Sequence, residues 1–250
     1  MDKYLIWLHS VKGYSILTCN VYYKYAKLLN ESNMDYNIAL SKFPNISNNT
    51  KRVILSAIKK FYYYKQDKRY TEIVLPKKNK IVCDYLSIDE YQKILNYVLN
   101  KKRVNWLKIL MIRLLFETGI RSSELLSINS LDIKDNKIII KGKNNKERLV
   151  YLSPSLTKIL NNVISKTNGS TKIFHFGYKS LYKKIKLLGN KVLNKNLTPH
   201  MFRRGFATHC ISNNIGIYEL SLMMGHDNIN TTKLYLRNDD KISVMQTLFN

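Results

Sequence analysis

Acidic residues are scarce in this chain: 17 Asp and Glu stand against 42 Lys and Arg in 250 residues, a formal charge of +25. The isoelectric point is about 9.9. Such an excess exceeds what solubility requires; it fits either a polyanionic partner or a generally cationic, solvated surface. Cysteine is scarce as well. Cys19, Cys83 and Cys210 are odd in number, far apart and without a CxxC pair, which excludes a disulfide framework and a cysteine-based zinc site. No apolar run approaches about 18 residues, and the opening MDKYLIWLHS is too short and too polar for a secretory signal. The expectation is a soluble protein of the cytoplasm, with no membrane contact. Phosphate-cradling loops of the GxxxxGKS/T or GxGxxG type are missing, and no repeat of 20 to 50 residues appears, so nucleotide binding has no support.

What is present is distributed over two bodies. Residues 1–80 carry 15 basic and 5 acidic side chains, and the remaining 170 carry 27 and 12, so both parts are cationic. That distribution suits a chain gripping a phosphate backbone with two bodies better than one with a single basic tail. The first part reads as helical: Val21, Tyr25, Leu28 and Leu29 repeat at the spacing of one helix face. So do Ile54, Ala57, Ile58 and Phe61 after a start signal at Asn49 and Thr50. Tyr62, Tyr63 and Tyr64 suit core packing, or stacking on bases for the one or two that share a face. Pro76 with Lys77, Lys78 and Lys80 marks a basic connector, either lying along DNA or simply solvated. Ser87 and Glu90 then have the spacing of a capping box. The expected division is a helical domain over 1–75, a basic linker over 76–85 and a second domain over 86–250.

In the second part, helical periodicity runs through Ile94 to Leu99 and Leu107 to Leu115, and Gly119 ends it. KIIIKGKNNKERLVYL is the best hairpin in the chain, and helical patterns return at Ser155 to Ser165 and Ser180 to Leu188. The expected fold class is mainly α with a small antiparallel β-sheet. Chemistry-bearing side chains gather near predicted element ends. Arg121 follows Gly119 in TGIRSSELLSI, where a guanidinium can fork onto phosphate oxygens and Glu124 can hold it. In TPHMFRRGFATHC, Thr198 and Pro199 start a helix that puts His200 and Arg203 on one face near its positive end. His209 falls at the wrong angle for that face and reads as a packing residue. His226 sits in a turn after Gly225, and Tyr235 follows nine residues later. Lys141, Lys143 and Lys146 surround the hairpin turn.

The strings TGIRSSEL, KGKNNKERLVYL, TPHMFRRGFATH and MMGHDNINTTKLY, in that order, resemble the successive motifs of the tyrosine recombinase (phage integrase, Xer-like) family. The resemblance covers about Tyr85 to Leu236. It implies a helical DNA core-binding domain before a catalytic domain, and a tyrosine that attacks a DNA phosphodiester to give a 3′-phosphotyrosyl bond and a 5′-hydroxyl. Carried over by motif, Tyr235 is the nucleophile, Arg121 and Arg203 hold the non-bridging oxygens, and His226 adds a hydrogen bond. Lys143 is the general acid, with Lys146 the competing choice because Asn144 replaces a common glycine, and His200 assists the proton leaving the tyrosine. The resemblance further implies no cofactor or metal, double-stranded DNA with a specific core site as partner, and a monomer that becomes a homotetramer on DNA. Tyr151 replaces a common proline and Arg204 a common His or Lys. An arm-binding domain is not expected, and the apolar tail residues Ile242, Val244, Met245 and Leu248 suit packing on a neighbouring subunit or on the chain itself. Two other readings share these residues: a type IB topoisomerase-like activity, and a catalytically silent DNA-binding relative.

Overall fold

The computed structural model describes residues 2–79, 84–142, 147–166, 171–226, 228, 231 and 232. The chain divides into two compact units, Met1–Val82 and Cys83–Asn250.

The first unit is helical. It comprises α1 (Asp2–Ile6), which runs into a π-helical turn at Trp7–Val11, α2 (Ile16–Asn30), α3 (Tyr36–Ser41) and α4 (Asn48–Tyr64). Ser15, Asp35 and Ser47 cap the last three with side-chain oxygens, each accepting orphan backbone N–H groups. The start of α4 is therefore Ser47 rather than the expected Asn49 and Thr50. Ile54, Ala57, Ile58 and Phe61 are buried as the spacing predicts. In α2 the inward stripe is Cys19, Ala26 and Leu29, and Val21 is exposed. The apolar residues of this helix outnumber those one face can bury, so periodicity alone chose a stripe rotated from the one that packs on α4. Tyr62 is buried, with its hydroxyl donating to the Met34 carbonyl at 2.5 Å. Tyr63 is exposed beneath the ammonium groups of Lys12 and Lys60.

The second unit is built around α6 (Trp106–Glu117), which follows α5 (Ile88–Leu99). Seven consecutive or near-consecutive residues of α6, from Ile109 to Phe116, are buried all round. A helix apolar on every side must be enclosed, and α5, α8 (Pro154–Ile164) and α10 (Pro199–Ser212) pack around it. Ser87 and Glu90 form the expected capping box at the start of α5. The short α7 (Ser122–Ser127) follows α6, and α9 (Tyr178–Leu193) packs on α5, α7 and α10. The chain then reaches α11 (Ile217–Met224), which lies against α10. Among the described residues the strands are β1 (Ile133–Lys134), β2 (Lys137–Lys141) and β3 (Glu147–Tyr151), an antiparallel sheet in that order. Ile138 pairs with Val150, Ile140 with Arg148 and Lys141 with Glu147, so the anticipated hairpin is β2–β3. Ile138, Ile140 and Val150 are buried, and Arg148 shares their inward face. No described helix is long and apolar enough to cross a membrane. The fold class is the expected one: mainly α with a small antiparallel sheet.

Candidate active site

Gly119 ends the connection from α6 with φ +59°, and a Cβ there would lie 2.3 Å from the Phe206 ring. Only glycine satisfies both the conformation and the space. The chain turns directly into Arg121, the N-cap residue of α7. Its backbone N–H donates to Glu124 Oε2 at 2.7 Å and its Nη1 to Glu124 Oε1 at 2.7 Å. The expected partnership of Arg121 and Glu124 is thus present, and it is buried at the carboxylate end, where Glu124 is 5% exposed.

A third residue shares that carboxylate. Arg148 of β3 donates through Nη1 and Nη2 to Glu124 Oε1 and Oε2 at 2.9 and 2.8 Å, a two-pronged pair. Burial by itself would raise the Glu124 carboxyl, but the hydrogen bonds and charges of Arg148 and Arg121 outweigh it and hold the group down at about 2, against an ordinary 4.5. Sequence reasoning missed Arg148. The signal was in the strand itself: alternation places Arg148 inward with Val150, whereas Leu149 and Tyr151 face out and are exposed.

The end of α11 gathers the site. Its last carbonyls have no intrahelical donors and must find partners elsewhere. The Ser221 and Leu222 oxygens accept from the backbone N–H of His226 and Gly225, with Gly225 in the left-handed conformation at φ +62°. The next three oxygens each accept from a different arginine. Arg148 Nε donates to Met223 at 3.2 Å, Arg203 Nη2 to Met224 at 2.8 Å and Arg121 Nη2 to Gly225 at 2.7 Å. Arg203, 3% exposed, also donates from Nη1 to the Gly119 carbonyl at 2.6 Å. It therefore ties α10 to both the α6–α7 turn and the end of α11.

Pro199 is the first helical residue of α10, as expected, although the Thr198 side chain makes no capping hydrogen bond. His200 opens to solvent, and its imidazole is held below the usual range by partial burial and by Arg204, Arg203 and Arg121. His226 is pushed down to about 4 by burial, then by Arg203, Arg121, Arg148 and His200. Its Nδ1 lies 2.7 Å from the hydroxyl of the buried Thr232. Arg121, Glu124, His200, Arg203 and His226 are therefore brought together from α7, α10 and the end of α11. Lys143, its alternative Lys146 and Tyr235 lie outside the described residues, as do the tail positions Ile242, Val244, Met245 and Leu248. Lys141 is exposed and lies 3.5 Å from Asp132. His209, read as a packing residue, does lie with its ring 6.5 Å from that of the buried Phe116, but it is exposed rather than enclosed. Among the described residues no three His, Cys, Asp or Glu side chains cluster to hold a metal ion.

These shifts fix a pH dependence. His226 and His200 are lowered on folding, so the folded state binds fewer protons; their contribution is intact above the ordinary 6.5 and is lost as pH falls toward about 4 for His226. Urea midpoints will fall between pH 6.5 and 4, and less steeply in His226→Gln. An equally steep decline in that variant would assign the acid sensitivity to other groups. Glu124 acts lower down: its contribution is intact above about 4.5 and disappears toward about 2.

Residues 84–241 match the model of the phage integrase family. Over 164 residues the chain is 34% identical to tyrosine recombinase XerA of Saccharolobus solfataricus, a match covering 64% of this chain and 54% of that relative. The chain thus spans about half the length of this relative in that match. Over 221 residues it is 31% identical to tyrosine recombinase XerD of Staphylococcus epidermidis, covering 78% of this chain and 74% of the other. Among solved structures, the Tn1549 transposon integrase in complex with transposon right-end DNA aligns with a TM-score of 0.73 over 99% of both chains. At 16% identity that likeness concerns the fold. With the family model matched over residues 84–241, more than half of the chain, and a 31% identical relative covered to 74%, the chain belongs to the phage integrase family, the tyrosine recombinases, whose chemistry is DNA strand cleavage and rejoining.

Proposed function

We propose that this chain is a site-specific DNA recombinase that cuts and rejoins DNA through a 3′-phosphotyrosyl intermediate. The observation that carries the reading is the anchoring of Arg121 and Arg203 on two successive carbonyl oxygens, those of Gly225 and Met224, immediately before His226. Two guanidiniums fixed on one turn present paired positive charge to one phosphate, and preorganised charge of this kind stabilises the pentavalent transition state without reorganisation.

Tyr235 attacks phosphorus; its oxygen forms the new P–O bond as the P–O5′ bond breaks. The phenolic proton leaves with help from His200, and Lys143 protonates the departing 5′-oxygen. A phenol of pKa about 10 is a weak nucleophile at neutral pH, and the surrounding cations favour its ionised form. His226 is neutral at pH 7, being held at about 4. A Thr232 hydroxyl that donates to Nδ1 leaves the ring proton on Nε2 as a further donor for a phosphate oxygen. Thr232 stands three residues before Tyr235 in the sequence. The phosphoester energy is retained in the covalent bond until a 5′-hydroxyl of the partner strand attacks. No nucleotide is consumed. Residues 1–75 serve as the DNA core-binding domain, 76–85 as the basic linker and 86–250 as the catalytic domain, with four copies assembling on two DNA sites.

The test uses nicked duplexes selected for binding from a randomised-sequence pool. The wild-type chain will form a covalent adduct on the 3′-phosphate, and Tyr235→Phe will abolish it while retaining binding. An adduct that survives this change would reject Tyr235 as nucleophile.

A further inference from the structure

Arg148 is the one guanidinium of the cluster that the proposed chemistry leaves without a role. It projects from β3, two residues after Lys146 in the sequence. It reaches three features at once. Its Nη1 and Nη2 hold both oxygens of buried Glu124, and its Nε holds the Met223 carbonyl. Its side chain also lies against Gly225, where an added Cβ would approach Arg148 Cδ and Nη1 to 3.0 Å. Its own side chain is 14% exposed, against 40% for Arg121. An exposed phosphate-binding arginine thus shares a carboxylate with a covered one.

From this arrangement we infer that Arg148 is a positioning residue: it locks the β2–β3 hairpin, Arg121 and the end of α11 into one register through Glu124 and the Met223 carbonyl.

Two physical consequences follow. The first is electrostatic. Glu124 with Arg121 alone is a neutral pair, and its carboxylate would offset the charge that Arg121 offers to a phosphate. With Arg148 the trio carries one net positive charge, so Arg121 keeps its attraction for an anion. The second is geometric. Glu124 takes four N–H donors, two from Arg121 and two from Arg148, which fixes its carboxylate plane and hence the Arg121 fork. Because the same guanidinium grips Met223, the hairpin cannot shift without disturbing the turn that ends in Gly225 and His226. Displacement of reacting groups by about 1 Å can cost about 100-fold in rate.

The inference rests on the recombinase reading for its rate arm only, and a second arm is independent of it. In single-turnover cleavage of the selected nicked duplex, Arg148→Met will lower the rate by about 100-fold while DNA binding changes only a few-fold. Arg148→Lys, which keeps the charge but loses the fork, will recover part of the rate. In the double variant Arg148→Met with Glu124→Gln, the buried carboxylate left with only Arg121 as its cationic partner is gone; stability will return in part, but cleavage will not. Separately, NMR titration of the His226 ring will show its pKa rising in Arg148→Met. The cations facing that ring are Arg203, Arg121, Arg148 and His200, and one of them will have been removed. Cleavage by Arg148→Met at the wild-type rate, or cleavage restored together with stability in the double variant, would overturn the inference. So would an unmoved His226 titration. A wild-type chain that forms no adduct would instead reject the recombinase reading, leaving the titration to decide the role of Arg148.

Discussion

Glu124→Ala will lower the stability of the second unit by about 3 to 5 kcal/mol, the usual cost of removing one partner from a buried ion pair. The carboxylate is 5% exposed and accepts from both Arg121 and Arg148. Its loss leaves two guanidiniums facing one another with nothing between them. Water can reach Arg121, whose side chain is 40% exposed, but only poorly Arg148 at 14%. Repulsion between the two will loosen β3 from α7. Trp7 and Trp106 are the only tryptophans, so in a Trp7→Phe background the fluorescence of Trp106 reports the second unit during urea unfolding. The midpoint will fall with little change in slope. A loss under about 1 kcal/mol would place the pair among surface ion pairs of small value.

The second large effect comes from a glycine that makes no ion pair of its own. Gly205 lies in the middle of α10, and a Cβ there would stand 2.1 Å from the Leu86 carbonyl oxygen and 2.8 Å from the Phe116 ring. Alanine is the better helix former by about 1 kcal/mol, so propensity predicts stabilisation by Gly205→Ala. Close approach decides otherwise. Leu86 is fully buried and its N–H donates to the Met201 carbonyl at 3.1 Å, so the obstructing oxygen belongs to a backbone segment bound to the same helix. It cannot turn away like the end of a side chain. Overpacking of this kind costs about 1 to 3 kcal/mol, and after the propensity gain of about 1 kcal/mol the net loss, read with the same Trp106 signal, will be about 1 kcal/mol. A gain in stability would mean that the Leu86 segment yields. The shift of α10 will also displace His200 and Arg203, so binding of a phosphate mimic such as orthovanadate will weaken in the same variant.

Elements governed by local chemistry are legible in the sequence. The Ser87 and Glu90 box, Pro199 at the first position of α10, the helix stop at Gly119 and the β2–β3 hairpin depend on residues within a few positions of one another. Misreadings arose where a choice among local options is made by distant partners. Val21 fits an apolar stripe, but α4 packs on a different one; Asn49 and Thr50 are good starters, but Ser47 takes the cap. His209, at the wrong angle for the His200 face, reads as a packing residue; its ring does reach Phe116, but the residue stays exposed.

The candidate site divides along the same line. The order of Arg121, the hairpin lysines, His200 with Arg203, His226 and Tyr235, and the charge of +25 around them, are properties of the chain as written. Spacing within one helix is enough to associate His200 with Arg203, because residues three apart share a face. Nothing local joins Arg121 to Gly225, 104 residues away, or Arg148 to Met223, 75 residues away. Those links exist because the last turn of α11 ends inside the protein with carbonyl oxygens that its own helix cannot satisfy, and the folded chain answers them with arginines from three other elements.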